Sequence, residues 1–112
     1  MPATRKRTYS RYALEGLVLL GKMIRLGRMQ RRLTAQELAE RIGVSRSTLQ
    51  RIEKGDPKAE IGLMFEAAAI VGVKLFEADE KGVGALSERI DDRIALLPKH
   101  VYKAGKQVID EF

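Results

Sequence analysis

Arg46, Ser47, Gln50 and Arg51 set two guanidinium groups, a hydroxyl and a carboxamide along one short polar segment. These are the groups that read base edges. A guanidinium binds guanine O6 and N7 bidentately, a carboxamide pairs with adenine and a hydroxyl serves either, each good bidentate pair giving ~1–3 kcal/mol of discrimination. The four are therefore candidate base-reading residues. Other chemistries find little support. Glu53 is a lone carboxylate with no second acid beside it in sequence, and acid/base work needs a positioned partner. The single histidine, His100, has no ligand set around it, so it reads as a tail or strand residue rather than a metal ligand. With no cysteine, no phosphate-cradling glycine loop and no clustered carboxylates, the reading is of a non-enzyme without cofactor or metal.

The elements that must hold those residues follow from periodicity. Residues Met1 to Ser10 lack apolar repetition and read as a basic arm, its boundary set at Tyr12, with Arg5, Lys6 and Arg7 able to enter a minor groove or touch phosphates, or to stay mobile. From about Tyr12 to Arg31, Leu17, Leu20 and Ile24 recur at helical spacing, although Gly16, Gly21 and Gly27 each weaken the helix by up to ~1 kcal/mol. Thr34-Ala35-Gln36-Glu37 forms a capping box for a second helix, whose buried face is Leu38, Ala39 and Ile42 and whose end is Gly43. Ser45 caps a third helix with Leu49 and Ile52 inward, stopped by Lys54-Gly55-Asp56-Pro57. Two short helices joined by a tight glycine turn make a helix-turn-helix, in which the second helix offers its N-terminal polar residues to a major groove.

A fourth helix is expected from about Glu60 to Val71, with Ile61, Met64, Phe65 and Ala68 as its stripe. A fifth, 83–97, repeats Val83, Leu86, Ile90, Ile94 and Leu97 through a charged background. It pairs across a two-fold axis or packs back on its own domain. The remainder, 98–112, is a tail in which His100 to Tyr102 and Gln107 to Ile109 flank a turn candidate, so a short strand or hairpin is possible. The expected fold is thus all-α, five helices, with the DNA-binding domain spanning 13–76.

Charge supports a polyanion partner. Between Met1 and Arg32 nine basic residues face Glu15 alone, while from Ala59 onward ten acidic residues outnumber seven basic ones, within a total of +6. Such polarity suits nucleic acid at the front of the chain, although basic residues also simply solubilise a helix and a tail. The apolar runs are too short to span a bilayer, and Ala13 to Leu20 lacks the uninterrupted core and cleavage site of a signal peptide. No membrane association is expected. Absent cysteine fits a reducing cytoplasm.

The run Leu33-Thr34-Ala35-Gln36-Glu37-Leu38-Ala39-Glu40-Arg41-Ile42-Gly43-Val44-Ser45-Arg46-Ser47-Thr48-Leu49-Gln50-Arg51-Ile52-Glu53-Lys54-Gly55 resembles the XRE family, of Cro and lambda-repressor type, across roughly Leu20 to Val73. That resemblance implies a lambda-repressor-like domain. It sets Arg46, Ser47 and Arg51 where family members touch bases, and Thr48 and Lys54 near phosphates, with Thr34 at the helix start beside them. Many members carry a phosphate-binding glutamine directly after the cap. Here that position is Ala35, and Gln36 comes one place later as the candidate backbone contact. The family pattern also pairs Glu53 with Arg28 as a structural ion pair.

The flanking segments Tyr9-Ser10-Arg11-Tyr12, Leu20-Gly21-Lys22-Met23-Ile24-Arg25 and Arg51-Ile52-Glu53-Lys54-Gly55-Asp56-Pro57 resemble HipB-like antitoxins. This implies a bacterial, nucleoid-bound homodimer that represses its own operon and binds a HipA-like kinase toxin. One recognition helix covers half a site, so a double-stranded DNA operator calls for two copies. Two other readings stay open. One is an interaction module that mainly holds the toxin, with Val108-Ile109-Asp110-Glu111-Phe112 for docking; the other is a non-specific DNA-binding coactivator.

Overall fold

The computed structural model describes residues 8–99 and the backbone of 101–102 and 108–109. In chain order it comprises α1 (Arg11–Gln30), α2 (Ala35–Ile42), α3 (Arg46–Glu53), α4 (Ile61–Ile70), α5 (Glu80–Ala95) and the two-residue strands β1 (Val101–Tyr102) and β2 (Val108–Ile109). Two units divide the chain, one ending at Leu75 and one beginning at Phe76. Among the described residues no helix is long and apolar enough to cross a membrane.

The first unit is all-α. Helix α1 begins one residue earlier than its apolar repeat requires, because the Ala13 N–H donates to Ser10 Oγ at 3.1 Å and fixes the start. Arg11 and Tyr12 therefore belong to the helix, and the arm expected over 1–12 is shorter than its assigned boundary. Ile24 is fully buried, with Leu17 and Leu20 packed beside it. On α2 the buried residues are Leu38 and Ala39, and on α3 they are Leu49 and Ile52, all at 0% exposure. Burying a leucine or isoleucine side chain contributes about 1.5–3 kcal/mol, so these few residues hold the short helices, which would not persist alone.

Two glycines that weaken α1 in isolation are where other elements approach it. A Cβ on Gly21 would lie 2.5 Å from the Glu53 carbonyl oxygen, and one on Gly27 would lie 2.9 Å from the Val71 side chain and carbonyl oxygen. The lack of a side chain lets the end of α3 and the end of α4 close on α1. A further tie comes from the Arg31 guanidinium, which donates to the Val71 carbonyl.

Helix α4 is rotated relative to its expected stripe. Met64, Ala67, Ala68 and Val71 face the core, while Ile61 is 70% exposed and Phe65 lies on the outer flank. Spacing still decides the face, since positions 64, 67, 68 and 71 repeat at three and four, and small alanines allow α4 to sit close. On this helix the largest apolar side chains are not the most buried.

In the second unit α5 begins at Glu80, because Asp79 accepts the Gly82 N–H at 2.9 Å as an N-cap. It ends at Ala95, so Leu97 lies beyond the helix, joined to it by a turn in which its N–H donates to the Ile94 carbonyl at 3.0 Å. Pro98 disfavours helical geometry at the residue before it, which accounts for the earlier stop. No residue of α5 is buried; Val83, Ile90, Ile94 and Leu97 are exposed and Leu86 half-buried. Val101 pairs antiparallel with Ile109, and Tyr102 with Val108. His100 lies outside the described residues.

Candidate nucleic-acid interface

The site is built on the turn between α2 and α3. Thr34 caps α2 reciprocally: its Oγ1 accepts the Glu37 N–H at 3.0 Å, and its own N–H donates to the Glu37 carboxylate at 2.9 Å. Donation from the Thr34 backbone N–H, and after it from the Thr34 hydroxyl, holds the Glu37 carboxyl below the usual carboxylate range. At the far end Gly43 adopts φ +86°, and the N–H groups of Gly43 and Val44 both donate to the Ala39 carbonyl at 2.9 Å. Only a residue free of a Cβ takes that conformation without cost, so the chain reverses within one residue. Val44 then packs on the core and Ser45 caps α3, accepting the Thr48 N–H at 3.2 Å.

With Leu49 and Ile52 turned inward, helical geometry leaves Arg46, Ser47, Gln50 and Arg51 on the outside, and all four are exposed. The side chains of Arg46 and Gln50 make no hydrogen bond to other described residues. Ser47 Oγ lies 3.2 Å from Ser45 Oγ, and Arg51 reaches back along the helix to donate to Thr48 Oγ1 at 3.4 Å. Thr48 is half-buried and also lies 3.0 Å from Ser45 Oγ. A hydroxyl chain thus runs beneath the arginine.

The expected backbone-contacting residues are more dispersed. Thr34 and Gln36 are exposed at the start of α2, where the Gln36 carboxamide donates to the Glu40 carboxylate at 3.2 Å. Lys54 is exposed as the C-cap of α3. Arg5 and Arg7 lie outside the described residues.

Lys58 joins the site without having been singled out by its sequence. It shares a polar recess with Ser45, Thr48, Arg51 and Glu60, flanked by Val44 and Leu63. The Lys58 N–H donates to Asp56 Oδ1 at 2.8 Å, so the Asp56-Pro57 turn itself brings this lysine back beside α3. The one local signal for it is an Asx turn followed by a lysine.

Behind the exposed face, Arg28 grips Glu53 with two bonds, Nε to Oε2 at 2.7 Å and Nη2 to Oε1 at 3.0 Å, while Nη1 donates to the Leu33 carbonyl at 2.9 Å. The Glu53 hydrogen bond is the main reason the Arg28 guanidinium is pushed still higher than its ordinary value. Glu53 is therefore occupied in holding α3 to α1, while Arg28 also holds the α1–α2 connection. Among the described residues no group of three or more His, Cys, Asp or Glu is arranged to hold a metal.

A family model described as "Helix-turn-helix" matches residues 24–77. An uncharacterized HTH-type transcriptional regulator of Methanocaldococcus jannaschii is 42% identical to the chain over 53 residues, covering 43% of this chain and 80% of that protein. No solved structure matches. The matched span contains α2, the intervening turn, α3 and all of α4, and so includes the helix that presents Arg46, Ser47, Gln50 and Arg51. The chain belongs to the XRE-type helix-turn-helix family.

Proposed function

We propose that the chain is a sequence-specific regulator of transcription that binds double-stranded DNA as a homodimer and represses by occupying an operator. One observation carries this reading: α3 turns Leu49 and Ile52 into the core and leaves four residues with base-reading chemistry exposed at and beyond its capped N-terminus. Arg46, Ser47, Gln50 and Arg51 read base edges; Thr34, Gln36, Thr48 and Lys54 bind the phosphate backbone, with Arg5 and Arg7 adding phosphate contacts. The name of the Methanocaldococcus jannaschii relative supports regulation of transcription as the setting.

In this reading two copies pair through the apolar residues of α5, the exposed Val83, Ile90 and Ile94 and the half-buried Leu86, with Leu97 beyond the helix end. A 16-residue helix that buries none of its residues needs such cover. Autoregulation of its own operon and capture of a HipA-like kinase extend the proposal, on the strength of the flanking segments.

The test is a binding titration on the chain's own promoter region against scrambled DNA at physiological salt, with stoichiometry measured alongside. A preference of ~10³ or more with two chains per site is expected. Equal binding to both DNAs would overturn sequence-specific regulation and favour the interaction-module role.

A further inference from the structure

Helix α1 is apolar on two faces. Leu17, Leu20 and Ile24 turn into the core, while Leu14, Val18, Leu19, Met23 and Leu26 are exposed, Leu19 at 59% and Leu26 at 58%. A surface helix normally carries one apolar stripe with polar residues opposite it, and a helix apolar on both sides is covered on both sides. The outer face is not uniformly greasy. Leu14, Glu15, Val18, Leu19 and Lys22 line a shallow, predominantly apolar groove, with a carboxylate and an ammonium about two helical turns apart along it.

We propose that a second copy of this chain covers the groove, its α1 running antiparallel about a two-fold axis that passes between Val18 and Leu19. Charge complementarity selects both the occupant and the direction. About that axis each Glu15, which on its own helix meets Arg11 in an exposed pair at 3.2 Å, falls opposite Lys22 of the other copy, so the pairing forms twice, and Val18 meets Leu19 across the centre. In-register parallel pairing instead sets Glu15 on Glu15 and Lys22 on Lys22, which is repulsive. A self-complementary patch of this kind is what an isologous two-fold interface requires. Nucleic acid does not fit here, because the groove is apolar and carries a carboxylate. The α1 contact stands whether or not α5 pairs.

The experiment uses the full chain without DNA. Because the protein has no cysteine, Leu19→Cys introduces a single thiol close to the proposed axis, and oxidation should give an interchain disulfide in high yield. Met29→Cys should not, since antiparallel pairing holds the two copies of position 29 about 30 Å apart along the axis at 1.5 Å per residue. Comparable cross-linking at both positions, or at neither, would overturn the proposal. Sedimentation analysis supplies the second arm. Glu15→Lys and Lys22→Glu should each weaken self-association about tenfold, and the double reversal should restore it. Failure of the double reversal to restore association also overturns it. Ile90→Asp separates the two surfaces, removing any pairing through α5 while leaving the Leu19→Cys cross-link intact.

Discussion

The Arg28 guanidinium and the Glu53 carboxylate meet in a two-pronged ion pair at 2.7 and 3.0 Å, with only 13% and 8% of the respective side chains exposed. It ties α1 to the last turn of α3, the helix that carries the candidate base-reading residues from Arg46 on its first turn to Arg51 on its last. The pair therefore sets the angle at which Arg46 and Gln50 are presented. Removing one partner strands a charge in a nearly closed site, which costs about 3 kcal/mol. Arg28→Ala and Glu53→Gln should each lower the denaturation midpoint by that order. The double variant Arg28→Met with Glu53→Leu should cost clearly less than the sum of the single changes, measured as a double-mutant cycle in urea. Simple additivity would show that the two side chains do not act as a pair.

Gly21 and Gly16 share one helix and should respond oppositely to the same substitution. At Gly16 an added Cβ meets nothing within 4 Å, so Gly16→Ala should stabilise by up to about 1 kcal/mol through helix propensity. At Gly21 the new methyl would lie 2.5 Å from the Glu53 carbonyl oxygen, a backbone atom that cannot swing aside. Gly21→Ala should therefore destabilise by about 1–3 kcal/mol, as overpacking does. Matched thermal melts of the two variants decide the point.

The fold and the interface are unevenly legible in the amino-acid sequence. The helix-turn-helix announces itself because its signals are local: a reciprocal Thr34/Glu37 cap, a glycine at 43 that takes φ +86°, and a serine cap one residue after Val44. The phase of α4 is harder to read. Ala67 and Ala68 carry weak hydrophobic signal yet sit in the core, while the larger Ile61 and Phe65 lie toward solvent. Gly21 and Gly27 look like defects in a helix, because close approach between helices distant in sequence leaves no periodic trace. Lys58 stands seven residues after Arg51, and only the turn at Asp56-Pro57 folds it back into the same recess. The exposed apolar face of α1 is equally hidden, since Leu14, Leu19 and Leu26 interleave with the core-facing Leu17, Leu20 and Ile24.

The cap on α2 should make stability depend on pH in a defined sense. Bonds from Thr34 hold the Glu37 carboxyl below its ordinary range in the folded state. A carboxylate so lowered contributes stability that is present above its unfolded value and lost as pH falls through the folded one. The stability difference between the native chain and Glu37→Gln should thus be constant near neutrality. It should shrink as pH drops below about 4.3, the ordinary glutamate value. Thr34→Ala, which removes the acceptor for the Glu37 N–H, should cost about 1 kcal/mol. A difference that grows on acidification would contradict this account of the cap.

Arg46 and Lys54 stand at opposite ends of α3, and the proposed roles make them fail differently. Arg46 is exposed on the first turn, where a recognition helix meets base edges, so Arg46→Ala should reduce discrimination by ~1–3 kcal/mol at one base position. Its effect should be large on the preferred site and small on scrambled DNA. Lys54 is the C-cap, remote from the entering end, and as a phosphate contact it should weaken binding to every sequence alike. Lys54→Ala should also lower the slope of log affinity against log salt by about 1, the loss of one phosphate contact. Titrations of both variants on both DNAs at several salt concentrations separate the two kinds of contact. If the two changes have the same effect on preferred and scrambled DNA, α3 does not lie along a groove in the proposed direction.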